Sequence, residues 1–301
     1  MTVPVSKITQ ESPDYPGDLL DIPNPPQTLY YLGELPRRGE NMIAIVGTRK
    51  ATREGRDTAR SIARELAAKG IVVVSGLALG IDGAAHEGAL KGSGKTIAVL
   101  GNGLSEIYPR THERLGKEIL KSGGGILSEY PEGTEALAHH FLERNRIVSG
   151  LSKAVVVIEA PMRSGSLVTA KCALEQGREV FVVPGPVGHP NYEGSHELIR
   201  NGARLVRNAS DILEDLGIEA EAKQQTIEEI ATNAAENFDE ATNSILALIK
   251  KAKEALTLDE ISEQSDIPPH VAAQKVSTLV ITDIVEEKAG TFSLKRNGVV
   301  N

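Results

Sequence analysis

The chain of 301 residues contains one cysteine, Cys172, which excludes an internal disulfide and a cysteine-rich zinc site. No apolar run approaches the ~18–20 residues of a membrane span, and the N-terminus lacks a secretory-signal pattern. The expected compartment is therefore the cytoplasm, with no membrane contact. No internal repeat stands out. Positive charge is also short: 33 Lys/Arg stand against 41 Asp/Glu, a net −8, which at first speaks against nucleic acid. The shortage is local, however. Asp211–Glu240 holds ten Asp/Glu and one Lys, a net −9, and leaves the rest of the chain at +1. Met42–Ser210 has 22 Lys/Arg against 17 Asp/Glu. Local charge decides whether phosphate is attracted, so an acidic linker masks a mildly basic domain.

What is present is a sustained α/β alternation. Short apolar runs at Met42–Val46, Ile71–Val74, Thr96–Leu100, Gly125–Ser128, Ala154–Ile158 and Glu179–Val183 read as buried parallel strands. Helical patterns fall between them at Glu54–Ala68, Asp82–Leu90, Arg110–Lys121, Phe141–Leu151 and Ser166–Glu175, with a last short strand at Gly202–Val206 and a closing helix at Asp211–Leu216. Such spacing implies right-handed crossovers and a doubly wound, mainly parallel sheet over 42–217. Residues 1–41 carry seven of the fifteen prolines and three of the six tyrosines. They read as an extended lead-in docked on that domain through Leu29 and Leu32, or else as a plain proline-rich linker. The acidic linker at 218–240 is polar and poor in large apolar residues. Residues 241–301 show three helical patterns, the second opening on a Thr257/Glu260 capping pair, then a hairpin turning at Gly290. That is the pattern of a winged helix-turn-helix. Its third helix offers only His270 and Lys275 as positive groups, whereas Lys288, Lys295 and Arg296 make the wing more basic. A protein-contact role is thus at least as natural as reading a duplex.

The strand ends carry the chemistry. Gly47-Thr48-Arg49 offers close backbone approach, a hydroxyl and a planar guanidinium, a set that suits phosphate oxygens. Equally, it is an ordinary turn with a surface arginine. Ser75-Gly76 opens a second such turn, with Asp82 placed to cap the next helix and His86 one turn on in a structural position. Gly92-Ser93-Gly94-Lys95-Thr96 ends like a P-loop, but Ala89 stands at the upstream glycine position. It also runs from helix to strand, the reverse of the required order. Gly101-Asn102-Gly103 has Glu106 where a dinucleotide fingerprint needs its third glycine. His139-His140-Phe141 with Arg144 and Arg146 places an aromatic ring beside two arginines, a pairing that suits single-stranded nucleic acid. The plain alternative is a surface helix with Phe141 in the core. The two histidines find no third ligand for a metal. Arg163-Ser164-Gly165-Ser166 opens another helix as an anion cradle, with Lys171 one turn further in. No carboxylate pair or nucleophile with its base appears; Glu129, Glu159 and Glu175 qualify only if one faces the cradle. No catalytic residue, metal or cofactor is assigned.

Together these stretches, with Ile107-Tyr108-Pro109, Ser128-Glu129, Val157-Ile158-Glu159-Ala160, Gln176-Gly177-Arg178 and Val183-Pro184-Gly185-Pro186, resemble the DNA-processing protein A family (DprA/Smf). They stand in family order over about Tyr15–Leu216, and the lead-in and C-terminal winged helix fit the same pattern. No N-terminal helix-hairpin-helix or SAM-like domain is read. The resemblance implies an extended Rossmann-like domain in a non-enzymatic, homodimeric single-stranded-DNA-binding protein that protects incoming DNA and delivers it to a RecA-type recombinase during natural transformation. Carried onto this chain, it implies that Arg49 and Lys171 hold phosphates and that Gly47, Thr48, Ser75 and Gly76 line the site. Arg144, Arg146, Ser164, Gly165 and Ser166 join them, and Phe141 stacks a base. The alternative is a nucleotide-processing enzyme of the nucleoside-monophosphate-hydrolase kind. No Gly-Gly-x-Gly-Thr signature supports it.

Overall fold

The computed structural model describes residues 4–37, 39–218, 239–252, 255–281, 284–288 and 290–294. The chain divides into two compact units, Met1–Lys223 and Gln224–Asn301. Most of the acidic linker, together with Lys295 and Arg296, lies outside the described residues.

In the first unit the chain runs β1 (Ser6–Thr9), β2 (Thr28–Gly33), β3 (Met42–Val46), α1 (Arg53–Ala68), β4 (Val72–Ser75), α2 (Ile81–Lys91), β5 (Thr96–Leu100) and α3 (Glu113–Lys121). It continues through β6 (Gly125–Ser128), α4 (Ala138–Gly150), β7 (Ala154–Val157), α5 (Gly165–Glu175), β8 (Glu179–Val182), α6 (Glu193–Arg200), β9 (Arg204–Leu205) and α7 (Ala209–Asp215). The strands form one sheet in the order β1-β2-β6-β5-β4-β3-β7-β8-β9. From β6 to β9 every pairing is parallel; β1 and β2 are antiparallel to their neighbours.

The central strands are buried on both faces, which is why they read as unbroken apolar runs. Along β3, Met42, Ala44 and Val46 join one core layer, whereas Ile43 and Ile45 join the other. Helix α1 supplies Ala59, Ile62, Ala63 and Leu66 to the second layer at helical spacing, and Thr52 caps it by accepting from the Gly55 N–H. The side chain of Ser75, fully buried at the end of β4, donates to the Ile45 carbonyl at 2.7 Å.

Three features depart from the sequence reading. The lead-in is part of the sheet: β2 pairs with β6, β1 closes the edge, and Leu29 and Leu32 are buried there. Helix α6 occupies a stretch to which the sequence pattern assigns no element, and its Leu198 and Ile199 pack on the core. Helix α4 begins at Ala138 rather than Phe141, so His139 and His140 belong to its first turn.

The second unit has α8 (Glu240–Lys251), β10 (Leu256–Thr257), α9 (Leu258–Ser265), α10 (Pro269–Ile281), β11 (Val285–Lys288) and β12 (Thr291–Leu294). The helices share a core of Ile245, Leu246, Ile249, Ile261, Val276 and Leu279. The hairpin gains β10 as a third strand, in the order β10-β12-β11. Thr257 and Glu260 form a reciprocal capping box on α9.

Candidate nucleic-acid interface

Strand β3 lies between β4 and β7, so the chain leaves it in one direction for β4, β5 and β6, and returns to its other side for β7, β8 and β9. This is the reversal point of a doubly wound sheet, where the turns after adjacent strands part and leave a crevice. A cleft of about 560 Å³ occupies it, lined by Gly47, Thr48 and Arg49 after β3 and by Gly76, Ala78 and Asp82 after β4. Pro161–Ser166 after β7 forms the facing wall, and α4 contributes Phe141, Leu142, Arg144 and Asn145. A larger groove of about 1080 Å³ lies along α3, but its Arg110 and Lys117 are already paired with Glu106 and Glu113.

The floor is built around a buried arginine. Arg144, 4% exposed, donates from Nη1 to the Gly76 carbonyl at 2.9 Å and to the Val99 carbonyl. A Cβ on Gly76 would run into its guanidinium, so glycine is required there by packing. Gly47 is required for a similar reason, because a Cβ would meet Ile81 and the Glu159 carbonyl. Asp82, 7% exposed, accepts from the Gly76 N–H at 3.1 Å and the Ala78 N–H at 3.4 Å. It braces the turn, while Gly80, at φ +82°, takes the cap position of α2 expected for it. Burial pushes the Asp82 carboxyl up, opposed chiefly by the Arg144 charge. Burial likewise brings the Arg144 guanidinium down to about 10, still protonated at neutral pH. Beneath them His86 is fully buried against Thr96 at 2.7 Å and is held neutral, its pKa brought down by burial to about 3.

At the lip the charges are free. The exposed Arg49 lies over the Phe141 ring, 5.0 Å from its centroid, and Phe141 meets Tyr108 at 5.5 Å. Across the cleft, the exposed Arg163 sits at φ +60° ahead of α5. Neither Arg49 nor Arg163 has an ion-pair partner among the described residues. The Ser164 hydroxyl at the cap position of α5 accepts from no first-turn N–H and lies 2.8 Å from the Ser166 hydroxyl. The N–H groups opening α5 thus stand at the wall of the cleft, a favourable place for an anion. Three guanidinium groups and one carboxylate line the cleft.

Gly47, Thr48, Arg49, Gly76, Ser164, Gly165 and Ser166 are brought together, with Phe141 beside them. Four of the expected residues are not placed as phosphate contacts. Ser75 is sealed in the sheet by its bond to Ile45. Arg144 lines the cleft, but it is 4% exposed and its Nη1 is committed to the Gly76 and Val99 carbonyls. Arg146 makes two bonds to Glu129, at 2.8 and 2.6 Å, and a third to the Asn24 carbonyl, and lines a separate shallow pocket. Lys171 is exposed, 3.7 Å from Glu175, and absent from the cleft lining. The reason is helical phase: Ser166 and Thr169 face the cleft, and five residues past Ser166 the helix has turned well away.

Of the three glutamates considered, Glu129 pairs with Arg146 and Glu175 with Lys171. Glu159 is fully buried, accepting from Thr52, Asn191 and Tyr192. Burial raises its pKa, but those bonds outweigh burial and hold the carboxyl below its usual range. Sequence reasoning missed Arg163 and Tyr108 as lining groups. Arg163 directly precedes the Ser-Gly-Ser cradle, and Tyr108 belongs to the quoted Ile107-Tyr108-Pro109 step, so each had an adjacent signal. No cluster of three His, Cys, Asp or Glu able to hold a metal occurs among the described residues, and no described helix is long and apolar enough to cross a membrane.

The family model for DNA recombination-mediator protein A matches residues 6–217. Protein Smf of Escherichia coli (strain K12) is 50% identical over 209 residues, covering 69% of this chain and 56% of its own length. The X-ray structure of DNA processing protein A (DprA) from Streptococcus pneumoniae superposes with TM-score 0.66 at 42% identity, covering 70% of this chain and 74% of that one. A structure of DprA from Helicobacter pylori, described for its single-stranded DNA binding mode, gives TM-score 0.62 at 32% identity over 70% and 95% of the two chains. The chain spans about half the length of the first curated relatives it matches. With most of the first unit matched and its sheet reproduced in solved relatives, this chain belongs to the DNA recombination-mediator protein A family.

Proposed function

We propose that the cleft at the sheet's reversal point binds single-stranded DNA without processing it. The observation that carries this is the lining itself: free guanidinium groups at the lip, the open N-terminus of α5, and an aromatic pair, with one carboxylate that is tied to main chain. Arg49 and Arg163 hold phosphates from opposite walls. Thr48, Ser164 and Ser166 offer hydroxyls, and Gly47, Gly76 and Gly165 allow close approach. Arg144 acts from below, as a fixed positive charge in the floor. A monophosphate hydrolase would need a second acid or base beside Asp82, and Glu129, Glu159 and Glu175 all lie outside the lining.

The solved Helicobacter pylori relative supports single-stranded DNA as the ligand. In this reading the chain acts as a homodimer in the cytoplasm, protects incoming DNA and passes it to a RecA-type recombinase. Residues 241–301 act as a winged helix that contacts protein rather than duplex. Support for that last point is electrostatic: Lys275 is paired with Asp239 at 2.5 Å and Lys288 with Glu286 at 2.8 Å.

The test is a salt-titrated comparison of single-strand, duplex and mononucleotide binding by wild type and Arg49→Glu. Single-strand affinity should fall steeply with salt, with a slope of ~0.7 per phosphate contacted. Arg49→Glu should weaken all sequences alike and flatten that slope. Unchanged binding of a homopolymer by the variant would remove the cleft as the DNA site, and nucleoside release from a monophosphate would favour the enzyme.

A further inference from the structure

In a doubly wound sheet the helix that follows the strand at the reversal point turns its N-terminus to the crevice side, where it can hold the phosphate of a nucleotide. Helix α1 stands in that position, but a carboxylate of the chain itself is already there. Glu159, just past β7, is fully buried. Its Oε2 accepts from the Thr52 N–H at 3.0 Å and from Asn191 Nδ2 at 2.9 Å. Its Oε1 accepts from the Thr52 hydroxyl and, at 3.1 Å, from the Tyr192 hydroxyl. Thr52 is the cap residue of α1, and a Cβ on Gly55 would collide with Oε1, so the carboxylate lies against the first turn of that helix. No lysine or arginine among the described residues bonds to it; neutral donors and the helix dipole hold the charge.

The same group reaches the turn that carries Arg49. Thr48 donates its N–H to the Glu159 carbonyl at 2.8 Å. Asn191, from the short turn Pro190–Tyr192 ahead of α6, uses its amide twice, on the Glu159 carboxylate and on the Lys50 carbonyl at 3.0 Å. The residues on both sides of Arg49 are thus fixed to one clamp, whereas Arg49 itself stays exposed.

We propose that Glu159 is a built-in anion: it fills the seat that a nucleotide phosphate would take on α1 and, with Asn191, acts as a positioning residue for the Arg49 turn. The positioning half rests on the single-stranded-DNA reading; the filled seat stands without it. A mononucleotide is thereby denied the helix terminus it would grip, and phosphate is left to the open end of α5 and the lip arginines.

The experiment follows thermal unfolding and oligo-dT binding of the full chain for wild type, Glu159→Ala, Glu159→Gln and Asn191→Ala. Glu159→Ala should lower both the midpoint and the affinity. Acetate, which replaces atom for atom what that substitution removes, should restore both where chloride at equal ionic strength does not. Glu159→Gln fills the seat with a neutral amide whose NH2 faces other donors, so it should lose stability and affinity without any response to acetate. Inorganic phosphate should raise the midpoint of Glu159→Ala further than that of wild type, since only the variant has an open seat. Asn191→Ala keeps the carboxylate on α1 but releases the Lys50 carbonyl. It should weaken oligo-dT binding about fivefold, the factor of one ordinary hydrogen bond, with a smaller fall in midpoint than Glu159→Ala. On an Arg49→Ala background it should weaken binding no further, because its effect passes through Arg49. Absence of acetate rescue, equal rescue of the glutamine variant, or equal phosphate shifts in Glu159→Ala and wild type would overturn the built-in anion, and a Glu159→Ala that folds in neither salt counts as no rescue. An undiminished effect of Asn191→Ala in the absence of Arg49 would overturn the positioning role. Failure of wild type to bind oligo-dT would overturn the function instead, since acetate rescue of the midpoint does not depend on DNA.

Discussion

Removing the Arg144 guanidinium tests whether the floor of the cleft is scaffold or ligand contact. Arg144→Met keeps the length and most of the volume of the side chain but deletes the donors to the Gly76 and Val99 carbonyls. It also strips the buried Asp82 carboxylate of the charge that opposes its desolvation. Breaking one side of a buried charge arrangement costs ~3–5 kcal/mol. In a unit of about this size each kcal/mol lowers the midpoint by ~2–4 °C, so the expected fall is ~6–20 °C. Adding Asp82→Asn should recover part of the loss, with a coupling of ~0.5–3 kcal/mol between the two sites. Arg49→Met gives the opposite pattern. It loses one exposed cation–π contact, ~0.5–1 kcal/mol, and most of its effect falls on DNA affinity. Urea unfolding and single-strand titration of both variants decide the matter. A stable Arg144→Met that loses DNA binding would show Arg144 to be a direct phosphate ligand and the burial argument to be mistaken.

Three further outcomes are expected. The His86 pKa is depressed in the folded protein, to about 3 from 6.5, so the unfolded chain binds the extra proton between those values. Stability should therefore be complete above pH 6.5 and fall as pH drops towards 3, by ~1.4 kcal/mol per unit, and His86→Gln should flatten that dependence in urea unfolding curves. Lys171→Ala should change single-strand affinity less than about twofold, whereas Arg163→Ala should lower the salt slope by ~0.7; equal effects would place Lys171 in the path of the strand after all. Gly76→Ala should destabilise by ~1–3 kcal/mol in thermal unfolding, because its new methyl must displace the Arg144 guanidinium.

The sheet was legible because buried strands have no polar face to confuse their pattern: Met42–Val46, Thr96–Leu100 and Gly125–Ser128 match the structure residue for residue. The glycine turns were legible too, since their position follows from where strands end. Side-chain direction was not. Arg144 and Arg146 are two residues apart on one helix and appear equivalent in the sequence. Helical rotation sends the first under the cleft and the second to Glu129, so the same residue type takes two roles. Lys171 illustrates the same limit on α5. The lead-in carries too many prolines for a strand pattern to show, and its pairing to β6 depends on residues nearly a hundred positions away.

Because Arg144 staples the ends of β4 and β5 and Asp82 pins the intervening turn, the base of the cleft is already in its working arrangement before any strand arrives. In the proposed reading, capture then demands ordering only of exposed tips, chiefly the Arg163 and Met162 side chains, and little of the association energy is diverted into shaping the protein. Adaptation to different DNA lengths or chemistries could proceed by exchanging those tips, one at a time, over an unaltered foundation.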